Sequence, residues 1–420
     1  MGLLQELDAW ALVALLRAAA HFASLNADEL KAWQAALKTQ ALERLPAVAV
    51  SNALLSLSTL AAGSEALKAA LDASLVVRLV QRWLQLLPGM LSIDTCQGLY
   101  GAACLGYPFS QQELDRITQQ ALEVDGTFQA LCGAQLFRAW RLLDAAWQEW
   151  DSSRQQSAVA AASKRQPRAV WPGDEAVKEA LRRVLSMELD AKHASQILLA
   201  LGQLRFQPSA AAIDALVNAY YRFLKRQEQS AIGLTAFLDG CALLGCRLPP
   251  KAVESCLEAV VAACASNPSE ATRCSSTTAW ALAHLQQCDI KAWQQLAGLA
   301  AVAPIADWPA VNLRRLYQAY MHAVEVDQRV GPGGRSGEAA SDCWEEGWLQ
   351  VNLAVPSLRL VVQADGPYQY FRNKPGVLLP TTVARDRLLR SWGWHVISVP
   401  FTIPEQHLAE YWKQQLAQLR

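Results

Sequence analysis

The 420-residue sequence has no surplus of charge, since 38 Lys and Arg face 38 Asp and Glu. That balance excludes a chain drawn as a whole to nucleic acid, to an anionic membrane or to an acidic substrate; any such surface has to be local. No uninterrupted apolar run reaches the roughly 18 residues of a membrane-spanning helix, although 52% of the residues are hydrophobic. The ten cysteines form no C-x-x-C pair and have no histidine at zinc-ligand spacing. They read as thiols filling apolar helix faces in a reducing compartment, with neither a metal site nor a disulfide framework expected. The opening MGLLQELDAWALVALLRAAAHF sets Glu6 and Asp8 ahead of its first basic residue, Arg17. It therefore reads as neither a signal peptide nor a basic transit peptide, and Glu6 stands where myristoylation needs Ser or Thr. His21, His193, His284 and His322 are scattered, so spacing assembles no Ser/His/Asp or Cys/His constellation.

What the sequence does contain is a repeat. A ten-residue core recurs as VALLRAAAHF (13–22), SNALLSLSTL (51–60), CQGLYGAACL (96–105), AQLFRAWRLL (134–143), SQILLALGQL (195–204), TAFLDGCALL (235–244), STTAWALAHL (276–285) and, more loosely, VNLRRLYQAY (311–320). The last residues of successive cores are separated by 38, 45, 38, 61, 40, 41 and 35 positions. The long interval holds the polar, Ala-rich SSRQQSAVAAASKRQPRAVWPG, read as a flexible insertion near 151–173. Each core leads through a turn signal into a second amphipathic stretch, as in LGYPFSQQELDRITQQALEV, where Ser110 and Glu113 fit a capping box. Pro108 and Pro250 sit where a helix can start. Two helices per forty residues cannot bury their apolar faces alone, so the pattern predicts an α-solenoid of about eight helical hairpins over 1–327.

The cores SNALLSLSTL, SQILLALGQL and TTAWALAHL resemble the LSNxLWALAxLG signature of octotricopeptide repeats, whose arrays bind organellar RNA. Asn52, Gln97, Gln135, Gln196 and Thr277 come early in their cores. Their amides and hydroxyl can meet base edges on a concave face, one unit at a time; the alternative is that they cap or solvate helix starts. HEAT-like and tetratricopeptide arrays, which commonly bind proteins, share the period.

The pattern changes after VEVDQRVGPGGRSGEAASD, read as a linker over 328–342. Its VGPGGRSG lacks the Gly-Lys-Ser/Thr ending of a phosphate loop. A strand-rich α/β module follows over 343–420. In it, VVQADGPYQYF and TTVARDRLLRSWGWHVISVPF resemble the RAP domain, whose pattern has an E-x-D-G-P-x-H-F corner, a T-x-x-K-x-x-x-L helix and a G-x-x-V-x-x-V-P strand. The resemblance implies a small restriction-endonuclease-like fold and, with the array, a protein similar to green-algal organellar RNA-binding proteins. Asp365, Gly366, Pro367 and Phe371 match the corner, Thr382 and Arg385 the helix, and Gly393, Val396, Val399 and Pro400 the last strand.

Two positions depart from that pattern: Gln363 replaces the usual Glu and Gln369 the usual His. A Mg²⁺-dependent nuclease needs clustered carboxylates and a group that handles the proton of the attacking water. Both substitutions count against hydrolysis, leaving Asp365 as the one catalytic candidate of a nuclease alternative. Gln363, Asp365 and Gln369 then serve as hydrogen-bonding groups, with Arg372, Lys374, Arg385 and Arg387 as phosphate partners. Tyr368, Tyr370 and Phe371 are candidates to stack bases, whereas Trp392 and Trp394 read as core. Over 343–420, eight Lys and Arg stand against six acids, a modest surplus.

The expectation is thus a binder of single-stranded RNA, without metal or cofactor, controlling stability, processing or translation of a chloroplast or, alternatively, mitochondrial transcript. Protein partners in an RNA-processing or translation complex are compatible with it. The alternatives are a RAP-domain RNA endonuclease using Mg²⁺ and a protein-binding helical scaffold. For an organellar protein, the targeting segment is expected outside this sequence.

Overall fold

The structure is a computed structural model that describes residues 4, 7–40, 42–123, 128–153, 171–224, 231–266, 270–300, 308–328 and 351–417. Most of the expected insertion, the linker after residue 328 and positions 343–350 of the last module lie outside the described residues. Packing divides the chain into two compact units, Met1–Leu189 and Asp190–Arg420.

In the first unit the repeat cores lie on α1 (Ala9–Phe22), α3 (Ala47–Gly63), α6 (Ser92–Cys104) and α8 (Ala130–Ser153), each packed on the next. Between them run α2 (Ala27–Thr39), the short α4 (Glu65–Ala69), α5 (Ala73–Leu86) and α7 (Gln111–Glu123), and α9 (Asp174–Leu185) packs on α8. In the second unit the cores lie on α10 (Ala191–Gln203), α12 (Ala231–Leu244), α14 (Ala271–His284) and α16 (Ala310–Gln328), separated by α11 (Ala210–Leu224), α13 (Pro250–Ser266) and α15 (Ile290–Ala300). The helical-hairpin array is the observed architecture.

Local chemistry sets the helix ends. Asp8, Asn26, Asp72 and Asp190 cap the free N–H groups of α1, α2, α5 and α10. The expected capping box forms at α7, where Ser110 N donates to Glu113 Oε2 at 2.9 Å and Glu113 N donates to Ser110 Oγ at 3.3 Å. At the other end, Ala23, Gly106, Arg205, Gly245 and Gln286 occupy the same position after their cores, and all are left-handed. Backbone bonds such as Tyr107 N to Ala102 O and Phe206 N to Leu201 O, both 3.0 Å, close these turns in the Schellman manner.

The sixth core position explains why the core helices stack so closely. It holds Ser56, Gly101, Ala139, Ala200, Gly240 and Ala281. A Cβ on Gly101 would lie 2.7 Å from the Leu54 carbonyl carbon, and one on Gly240 would lie 2.6 Å from the Leu199 nitrogen. This rule corrects the last repeat. Residues 38 apart meet across α14 and α16: Thr277 with Arg315, Trp280 with Gln318, and His284 with His322. The eighth core therefore spans 314–323, three residues later than expected, because Ala319 and not Leu316 supplies the small sixth residue.

The C-terminal module has β1 (Leu353–Val355) antiparallel to β2 (Leu360–Asp365), which runs parallel to β5 (His395–Pro400) across helix α17 (Pro380–Ser391). A hairpin of β3 (Tyr370–Phe371) and β4 (Lys374–Leu378) precedes α17, and α18 (Glu405–Ala417) follows β5. Val361, Leu389 and Trp394 form its core, with Trp392 packed against it, as expected for both tryptophans.

Candidate nucleic-acid interface

Residues three and seven apart share one side of a helix, so the second, fifth and ninth core positions form a stripe. On α3 these are Asn52, Leu55 and Thr59; on α6, Gln97, Tyr100 and Cys104; on α10, Gln196, Leu199 and Gln203. All nine are half-buried or exposed, whereas most other core positions are buried. Asn52, Gln97 and Gln196 thus each stand on the accessible side of their own helix. Gln135 and Thr277, expected beside them, do not: both are buried, and the Thr277 hydroxyl accepts a bond from Arg315 Nη1 at 2.7 Å. Neither can reach a base edge as it stands.

Charged and aromatic groups from the fifth position join neighbouring helices. The Arg138 guanidinium sits 4.3 Å from the ring centre of Tyr100. In the second unit Arg315 bonds Asp239 Oδ2 at 3.2 Å and lies 5.1 Å from the Trp280 ring. Burial pushes the Asp239 carboxyl up to about 6, against the pull of Arg315. His284 and His322, which spacing left apart, are ring neighbours at 5.4 Å. The His284 Nδ1 donates to Trp280 O at 2.8 Å, and burial, with His322 beside it, lowers its pKa to about 3. Sequence reasoning missed these residues, although counting to the fifth and ninth positions of each core would have found most of them.

In the C-terminal module, Val361, Gln363 and Asp365 alternate onto the face of β2 that meets α17. Asp365 is 1% exposed and accepts from Arg385 Nη2 at 3.1 Å. The same guanidinium bonds Asp386 Oδ1 through Nε at 2.9 Å and Nη2 at 2.8 Å, and Ser398 Oγ donates to Asp386 Oδ2 at 3.1 Å. Gln363, also buried, accepts from Asn352 N at 3.3 Å. The corner acid is therefore one arm of a buried Asp–Arg–Asp network. Among the described residues no group of three or more His, Cys, Asp or Glu is placed to hold a metal ion.

Residues 362–418 match the RAP domain. No curated protein matches the chain. Among the described residues, no helix is long and apolar enough to cross a membrane.

The RAP domain is not an appendage on the second unit's helices; it docks on their C-terminal ends. Arg372 N donates to Arg205 O at 2.7 Å, and the Asn373 amide both accepts from Gln207 N and donates to Gln207 O at 2.9 Å. Pro380 lies beside Gly245 in the turn after the next core, its Cγ 3.0 Å from where a Cβ on that glycine would sit. Arg387 reaches Ala283 O at 3.2 Å and His322 Nδ1 at 3.1 Å; a guanidinium only donates, so that ring nitrogen accepts. Several expected ligand contacts are thereby reassigned. Arg385 is held by two carboxylates and Arg387 is spent on docking. Tyr370 and Phe371 are buried, and Tyr368, 48% exposed, carries the Arg205 guanidinium over its ring. Arg372 and Gln369 are half-buried, and Lys374 is exposed.

Proposed function

We propose that this protein binds single-stranded RNA and acts in post-transcriptional control of organelle transcripts, in the chloroplast or, alternatively, the mitochondrion. The observation that carries the reading is the RAP domain at residues 362–418, joined to a helical array. Asn52, Gln97 and Gln196 offer paired donors and acceptors on the accessible sides of their own helices, at the same place in three of the cores. Arg17 and Lys374, both exposed, add cations for phosphates. The organelle assignment rests on the octotricopeptide resemblance of the cores.

Binding without cleavage is favoured over hydrolysis. The acid at the corner is tied to Arg385, and glutamines stand at 363 and 369 where the RAP pattern has an acid and a histidine.

The test is retention of a random single-stranded RNA pool by the purified full chain over a salt series with Mg²⁺ present. Sequencing the retained RNA should yield a shared short motif, with affinity falling as salt rises and RNA length unchanged. Shortened RNA would return the nuclease, and no retention at low salt would leave the protein-binding scaffold.

A further inference from the structure

Helices α1 and α3 enclose a groove of about 600 Å³ lined in part by Trp10, Arg17, His21, Phe22, Asn52 and Thr59. Trp10, Arg17 and His21 fall at i, i+7 and i+11 of α1, one face of the helix. Asn52 and Thr59 are the second and ninth positions of the next core. Trp10 is 52% exposed and Phe22 74% exposed. Two large rings left this open to water mark the groove as a surface made to be covered.

The lining says by what. It contains Arg17 and His21 and no acid, so it is complementary to an anion. The Asn52 amide and the Arg17 guanidinium make no hydrogen bond or ion pair among the described residues. Equivalent groups elsewhere are already matched within the protein: Tyr100 with Arg138, and Arg315 with Asp239 and Thr277. The α1–α3 groove therefore combines an amide and a cation that are open to solvent and not engaged by other described side chains with exposed aromatic faces. An apolar helix from a protein partner would satisfy only the rings.

We propose that this groove is a binding subsite for an unpaired RNA nucleotide. The base stacks on Trp10 or Phe22, its edge meets the Asn52 amide, and its phosphate meets Arg17. The inference rests on the RNA-binding reading above and assigns it a specific site.

The experiment uses the full chain and the RNA selected from the random pool, with 4-thiouridine incorporated for photo-crosslinking and peptide mapping. Cross-links are expected in the tryptic peptides ending at Arg17 and Lys31, which hold Trp10 and Phe22. The double variant Trp10→Ala/Phe22→Ala should bind about tenfold more weakly. Arg17→Ala should lower the slope of log affinity against log salt by about one. Asn52→Ala should relax selection at a single base position. Both aromatic residues are exposed, and thermal melting of the variants checks that folding is retained. If wild-type protein binds RNA but cross-links map elsewhere and the variants keep affinity, slope and motif, this inference is overturned while the RNA reading stands. If the wild type retains no RNA, both are overturned. Occupation of the groove by a helical peptide that leaves RNA binding untouched would also overturn it.

Discussion

The Arg205 guanidinium lies 4.6 Å from the ring centre of Tyr368, joining a turn of the array to the corner loop of the RAP domain. Arg205 also donates to Pro367 O at 3.2 Å, and it does so from a left-handed backbone, φ 55°, where Gly106 and Gly245 stand in other repeats. A side chain there costs about 1 kcal/mol of backbone energy, so the docking contact offsets a local strain. Arg205→Ala keeps the strain and loses the contact; stability should fall by about 1 kcal/mol. Arg205→Gly loses the contact and relieves the strain, leaving global stability nearly unchanged. Amide exchange over residues 367–379 should quicken in both, which separates docking from folding.

Close packing of the core helices predicts an inverted helix-propensity result at Gly240. Alanine is the better helix former by about 1 kcal/mol, yet its Cβ would press on the backbone at Leu198 and Leu199, which cannot rotate away. Gly240→Ala should therefore destabilise by about 1–3 kcal/mol in urea unfolding. Gly298, whose added Cβ would meet nothing, should tolerate alanine or gain from it.

The buried Asp365–Arg385–Asp386 network predicts that the corner acid supports the fold. Asp365→Asn should cost about 3 kcal/mol, because it removes one of the two carboxylates that compensate a largely buried guanidinium. RNA affinity per folded molecule should be unchanged. Asp386→Asn should have a similar effect, and a loss of Mg²⁺-dependent RNA cleavage in Asp365→Asn at full stability would reverse this assignment.

Acid sensitivity should trace to His284. Its folded pKa, about 3, lies below the usual 6.5, so below 6.5 the unfolded chain takes up the proton first. The stability it contributes is full above pH 6.5 and is lost as pH falls towards 3. Asp239 acts in the opposite sense: with its pKa raised to about 6, its share is present at low pH and lost as pH rises from 4 to 6. Melting temperature in His284→Gln should fall less between pH 7 and 5 than in the parent, and Asp239→Asn should flatten the opposing trend.

The array was legible in the sequence because small and apolar residues recur at fixed places in each core, a local regularity that needs no knowledge of neighbours. The same regularity misplaced the eighth core. Its composition fits 311–320 loosely, and only the approach of α14 to α16 selects Ala319 as the small contact residue. The candidate polar groups were found by position, yet equal position did not mean equal access: Asn52 is half-exposed and the Thr277 hydroxyl is buried and bonded to Arg315.

From the sequence alone came the helical period, the capping box at Ser110 and Glu113, and the RAP corner with its two glutamines. These are properties of neighbours along the chain. Only the tertiary structure decided which polar groups are free to meet a ligand. Arg385 and Arg387 look alike as basic residues on one helix, but one neutralises Asp365 and Asp386 while the other binds Ala283 and His322, 104 and 65 positions away respectively. A charge is available for binding only if folding has not already paired it, and that pairing is set by contacts far apart in sequence.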